Sequence, residues 1–183
     1  PPHVASFYLR DVARELLTCG IARDSVDQAR GETLLIFCVR TGRNGGVALL
    51  LEHGADADVC AQRSPERSSQ GWEIKEQTPL CTAVRVGNLQ AVRLLLGGAP
   101  NQRPCDPNRP GIGGALGNDG DSGTPAMHAL RALAATQEAD GDVMEAHAAL
   151  TAVLDAGGKL GAEEAGAACE AALALVMVGS AQK

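Results

Sequence analysis

Four histidines, six cysteines and several clustered aspartates and glycines are the residues of this 183-residue chain with the chemistry for catalysis or ligand binding. An imidazole works as acid or base only beside a substrate-facing nucleophile or carboxylate. His3 stands near the start, His53 directly precedes Gly54, and His128 and His147 fall on two helical patterns that could face each other. None belongs to a G-x-S-x-G elbow, an H-E-x-x-H pair or a Cys–His signature, so all four read as surface or inter-helix histidines. Cys19, Cys38, Cys60, Cys81, Cys105 and Cys169 include no C-x-x-C pair, whereas zinc needs ligands close together on a tight turn. Cys19, Cys38, Cys81 and Cys169 lie in apolar helical patterns, where a thiol packs as a small hydrophobe. Reduced thiols in an intracellular compartment follow as the expectation. Gly111-Ile112-Gly113-Gly114 has no strand before it and no Lys-Ser/Thr after it, and so lacks the context of a phosphate cradle. Asp119 and Asp121, and separately Asp140 and Asp142, lack a twelve-residue calcium loop with its closing Glu. No catalytic residue, cofactor or metal site is predicted.

Binding chemistry has more support. Arg40, Arg85 and Arg131 each stand seven residues after a threonine, namely Thr33, Thr78 and Thr124. Guanidinium forks suit carboxylate or phosphate, although arginines near helix ends also simply favour the helix dipole. Trp72, the single tryptophan, ends a polar segment from Arg63. On a projecting loop it would be a contact anchor; alternatively it folds back with Ile74 onto the core. The net charge is −6, with thirteen basic and twelve acidic residues in 1–109 but three and ten in 110–183. That balance argues against nucleic acid as the partner. No apolar run approaches the roughly 20 residues of a membrane span, so no membrane insertion is expected. Pro1-Pro2 opens a non-hydrophobic segment unlike a signal peptide, and the missing initiator Met suggests a piece of a longer chain.

The elements that must position these residues form a repeat. Hydrophobic residues make up 45% of the chain but aromatics only 2%, and alanine, leucine and glycine dominate, which favours an all-α fold over a sandwich or barrel. Residues 31–58 read GETLLIFCVRTGRNGGVALLLEHGADAD, and residues 76–99 read EQTPLCTAVRVGNLQAVRLLLGGA. A fainter third copy starts at Thr124-Pro125-Ala126-Met127 and ends at LTAVLDAGG. The threonines can cap helix starts, with Pro79 and Pro125 following at the first helical position. Gly42 and Gly87 permit tight turns between antiparallel helices. Val47, Leu50 and Leu51, and likewise Val92, Leu95 and Leu96, give a second helix one apolar face. Gly54 and Gly98 would stop that helix.

These motifs, TPLCTAVRVGNLQAVRLLLGGA and LLLEHGADAD, resemble the ankyrin repeat with its T-P-L-H-x-A start, central glycine and G-A-D close. Ile36, Cys81 and Met127 replace the usual histidine, so apolar packing is expected where its hydrogen bonds would be. The threonines are 45 and 46 residues apart rather than about 33. HEAT repeats share that period but not the TPL start or the Gly-Ala-Asp end. The resemblance implies an all-α solenoid of helix-turn-helix repeats with enlarged finger loops. It divides as partial repeat 1–27, repeat 28–60, insert 61–72, repeat 73–104, insert 105–118, expanded repeat 119–160 and a terminal helix or cap at 161–183. It also places the three arginines on a concave partner-binding face, with neighbouring contacts at Arg30, Glu32, Thr41, Lys75, Gln77 and Val86. The implied function is a non-catalytic interaction module or scaffold for a protein partner, with an acidic segment facing the arginines. The alternatives are an accessory domain of a larger enzyme, such as a ubiquitin ligase, and a fixed subunit of a large assembly.

Overall fold

The computed structural model describes residues 14–15, 18, 24–27, 31–60, 77–97, 104–111, 123–138, 143–160 and 166. Among these residues lie six helices: α1 (Leu34–Arg40), α2 (Asn44–Glu52), α3 (Pro79–Arg85), α4 (Leu89–Gly97), α5 (Pro125–Glu138) and α6 (Val143–Asp155). A short antiparallel ladder pairs β1 (Val26–Asp27) with β2 (Glu32–Thr33), Val26 facing Thr33 and Asp27 facing Glu32. The helices form three antiparallel pairs. First helices stack in the order α1, α3, α5, and second helices in the order α2, α4, α6.

Each pair begins at its threonine. The Oγ1 atoms of Thr33, Thr78 and Thr124 accept from the backbone N–H of Ile36 (3.2 Å), Cys81 (3.1 Å) and Met127 (3.3 Å). One helix-initial donor in each pair is thereby satisfied. Gly42 (φ +70) and Gly87 (φ +69) turn the chain back at the end of α1 and α3. A Cβ at either position would meet nothing within 4 Å, so the glycine serves the left-handed backbone and not a close approach.

Aliphatic side chains fill the space between pairs. Leu35, Val39, Val47, Leu50, Leu80, Val84, Val92, Leu95, Leu130, Leu133 and Val153 belong to one continuous buried cluster. Leu96, expected on the same face as Val92 and Leu95, is half-buried at its edge. Burial on this scale contributes roughly 1.5–3 kcal/mol for each large aliphatic side chain. A single pair could not cover its own apolar face, so stacking supplies the stability.

Beyond each second helix a closing segment returns to the fingers. The N–H of Ala55 donates to Leu50 O (3.0 Å) and that of Gly158 to Val153 O (2.9 Å), five residues back in each case. In the second repeat the donor to Leu95 O is Cys105 (3.4 Å), ten residues on. Cys105-Asp106-Pro107-Asn108 therefore occupies the place of Ala55-Asp56-Ala57-Asp58. Asp56 accepts from Asp58 N–H and Asp106 from Asn108 N–H, both at 2.9 Å. This differs from the expected insert at 105–118: Cys105 is 3% exposed and belongs to the core. Part of the extra length lies before it, and part beyond Arg109, where Gly111 and Gly123 pair as an antiparallel bridge. Segment 61–72, residues 112–118, Gly98 and all of the terminal segment except Gly166 lie outside the described residues.

The closing segments also bind repeat to repeat. Asp24 accepts from Asp56 N–H (2.8 Å), Asp58 from Asp106 N–H (3.0 Å), and Asn108 from Lys159 N–H (2.8 Å). The Asn108 amide also donates to Gly157 O at 3.0 Å. The third pair departs from the others in length: α5 and α6 run 14 and 13 residues, against 7 and 9 in both preceding pairs.

Candidate partner-binding site

The stacking of α1, α3 and α5 brings Arg40, Arg85 and Arg131 to the same register on successive first helices. Their settings differ because the residue preceding each threonine differs. Glu32 reaches Arg40 in a two-pronged pair, Oε1 to Nη2 at 2.8 Å and Oε2 to Nε at 3.1 Å. The Arg40 side chain is 47% exposed and that of Glu32 only 3%. Expected as a surface contact, Glu32 is instead buried, because β2 seats it beneath the end of α1 with the guanidinium as its lid. Arg40 also lies 5.7 Å from the centre of the Phe37 ring, and Arg43 5.3 Å from it.

In the next repeat the equivalent of Glu32 is Gln77, which is half-buried and accepts from the Thr82 hydroxyl (3.3 Å). In the third it is Gly123, with no side chain to offer. Arg85 is half-buried and Arg131 exposed, and both interact within the chain. Thr41 is exposed, its hydroxyl donating to Phe37 O (2.8 Å), and Val86 is 47% exposed. Arg30, Lys75 and Trp72 lie outside the described residues.

A family model for ankyrin repeats, in three copies, matches residues 3–110, more than half of the chain. The chain belongs to the ankyrin-repeat family. No curated protein matches it. Ankyrin repeats are protein–protein interaction modules, and the all-α solenoid described above is their architecture. The match ends at Pro110, one residue before the bridge that closes the second finger, so the elongated third pair lies beyond it.

Within this ankyrin array several of the described histidines and thiols are held by the fold. The His53 ring nitrogen Nδ1 lies 2.9 Å from Leu49 O at the end of α2. His128 is buried and His147 exposed. Cys38, Cys60, Cys81 and Cys105 are free thiols. Burial pushes the Cys38 and Cys81 thiols above their ordinary value and Cys105 up to about 12, with Asp58 adding to the effect at Cys105. A thiol held protonated is a poor nucleophile. Among the described residues, no three His, Cys, Asp or Glu side chains gather as metal ligands. Nor is any helix among them long and apolar enough to cross a membrane.

At the positions of the family histidine, packing is mixed rather than purely apolar. Ile36 is buried, whereas the Cys81 sulfur lies 3.9 Å from Arg109 O and 4.0 Å from Gly123 O, making weak polar contacts to the next finger. Sequence reasoning passed over Asn88 altogether. Its Oδ1 accepts from Ala91 N–H (3.1 Å) to cap α4, while its Nδ2 donates to Val39 O (3.1 Å) and Asn44 Oδ1 (2.9 Å) in the preceding repeat. The signal was available, since an asparagine immediately after the turn glycine stands where a helix cap belongs.

Proposed function

We propose that this ankyrin array is a non-catalytic interaction module that binds a partner protein through the face carrying Arg85, Val86 and Arg131, and that the partner offers an acidic segment. The observation that carries this reading is the common register of the arginines on stacked first helices. Guanidinium groups spaced by one repeat suit carboxylates spaced along an extended segment. Arg40 contributes less, because its fork already holds Glu32. Free thiols packed as core residues fit an intracellular setting. The acidic excess of residues 110–183 favours a protein over a nucleic acid as partner.

The test is Arg85→Glu/Arg131→Glu, leaving Arg40 in place so that Glu32 keeps its partner. A fluorescent acidic peptide should bind the natural chain and lose affinity for this variant by roughly tenfold or more, the two changes reversing charge at two contacts. Circular dichroism should show the same helical content in both proteins. Equal affinity would remove the arginines from the interface.

A further inference from the structure

Arg43 and Asn88 hold the same place in successive repeats, each directly after the glycine that turns the chain between its two helices. Their side chains do different work. Asn88 caps α4 through Ala91 N–H and reaches back to Val39 O and Asn44 Oδ1. Arg43 stands at the N-cap of α2, where its carbonyl accepts from Gly46 N–H (2.9 Å) and Val47 N–H (3.1 Å), yet its side chain makes no capping bond. A guanidinium has only donors, so it cannot satisfy the donors that open a helix. The first described repeat thus lacks a cap that the next one has. The Phe37 ring, 5.3 Å away, is the contact Arg43 makes instead, and an exposed contact of this kind is no stronger than the cap it displaces. A departure from local preference without gain inside the chain points to a residue kept for an outside contact.

The charges around that ring do not balance. Arg40 lies 5.7 Å from its centre and Arg43 5.3 Å. Buried Glu32 engages Nε and Nη2 of Arg40 with both its oxygens, and these bonds leave Nη1 unused. Arg43 is exposed, and among the described residues no carboxylate or other acceptor reaches its guanidinium. Two guanidiniums against one carboxylate leave one positive charge, carried by Arg43. A ring face attracts that charge without neutralising it.

We propose that Arg43 is a partner contact, binding one carboxylate of the partner's acidic segment beside the Glu32–Arg40 pair. A guanidinium fork matches a carboxylate in shape, and one carboxylate brings this cluster to neutrality. A phosphate, close to doubly charged, would leave an excess of negative charge near buried Glu32. The inference rests on the partner-binding reading above and extends it to the first described repeat, where Arg40 is already engaged.

Arg43→Asn gives this repeat the residue of the next one and separates binding from stability. In the full chain it should leave the melting temperature at or above that of the natural protein, because a cap is gained. It should weaken binding of a fluorescent peptide of Asp, Ser and Gly by roughly three- to tenfold, the value of one charged contact. Arg43→Gln, which removes the charge without supplying a good cap, should lose the same affinity. A lower melting temperature with unchanged affinity would make Arg43 a structural residue and overturn the proposal. If Arg85→Glu/Arg131→Glu weakens the peptide and neither Arg43 variant does, the proposal fails and the reading above stands. The reverse pattern would remove Arg85 and Arg131 from the interface and keep Arg43. A peptide that does not bind the natural chain sinks both. Replacing each Asp by phosphoserine should bring no gain; tighter binding that depends on Arg43, or displacement of the peptide by a single-stranded oligonucleotide, would assign the site to phosphate and overturn the carboxylate.

Discussion

Cys38 and Gly46 divide one small volume between α1 and α2. A Cβ on Gly46 would lie 2.9 Å from the Cys38 sulfur, too close unless something yields. The same two positions of the next repeat hold Ala83 and Ala91, both fully buried. Gly46→Ala should therefore destabilise the protein by roughly 1–3 kcal/mol through overpacking. Cys38→Ala/Gly46→Ala should recover much of that loss in urea titrations, because it recreates the alanine pair. A double variant no more stable than Gly46→Ala would show that the two residues are not coupled. Cys105 carries a pH dependence. Its folded thiol is raised from 9.0 to about 12, so folded and unfolded chains are equally protonated below pH 9.0. As pH rises above 9.0 the unfolded thiol ionises first, and the associated stability is lost progressively as pH approaches about 12. Burial raises Cys38 and Cys81 too, and both act in the same direction. Urea midpoints should fall with pH above 9.0, and less steeply in Cys105→Ala; identical slopes would refute the role of Cys105.

At the scale of elements, helix starts and turns were legible because their signals are local. Thr33, Thr78 and Thr124 cap within three residues of themselves, and Gly42 and Gly87 serve their own backbone. The end of the second repeat was not legible. Gly98-Ala99 imitates Gly54-Ala55 in sequence, yet Cys105 makes the return bond to Leu95, and only the fold selects between them. Glu32 misled for a similar reason. A charged residue on a two-residue strand reads as surface, and its burial depends on an arginine eight residues later. Asn88 joins both kinds of information, a local cap and bonds to the preceding repeat. Thr78→Ala, which removes a cap, should cost about 1 kcal/mol. Asn88→Ala should cost more, since Val39 O and Asn44 lose a partner as well. Thermal unfolding of the two variants settles the order, and a milder effect at Asn88 would count against its bridging role.

For the whole molecule, the all-α stack was recoverable from periodicity, because three apolar faces at matching positions have no other way to be covered. The third repeat reads as expanded in sequence, but only the structure shows that the extra length goes into its two helices, of 14 and 13 residues. Leu50 and Leu95 hold equivalent places and are 2% and 1% exposed. Leu50→Ala and Leu95→Ala should each cost roughly 2–5 kcal/mol and lower Tm by several degrees in calorimetry. A shift within a degree for either would contradict the shared core.

The greater length of the third pair has a consequence for register. A row of like residues at even intervals is nearly periodic, and a ligand reading only that row could shift by one repeat with little penalty. The elongated pair breaks this periodicity at a single described junction, between α3 and α5. It marks an origin on the array, giving bound segments one preferred alignment and direction.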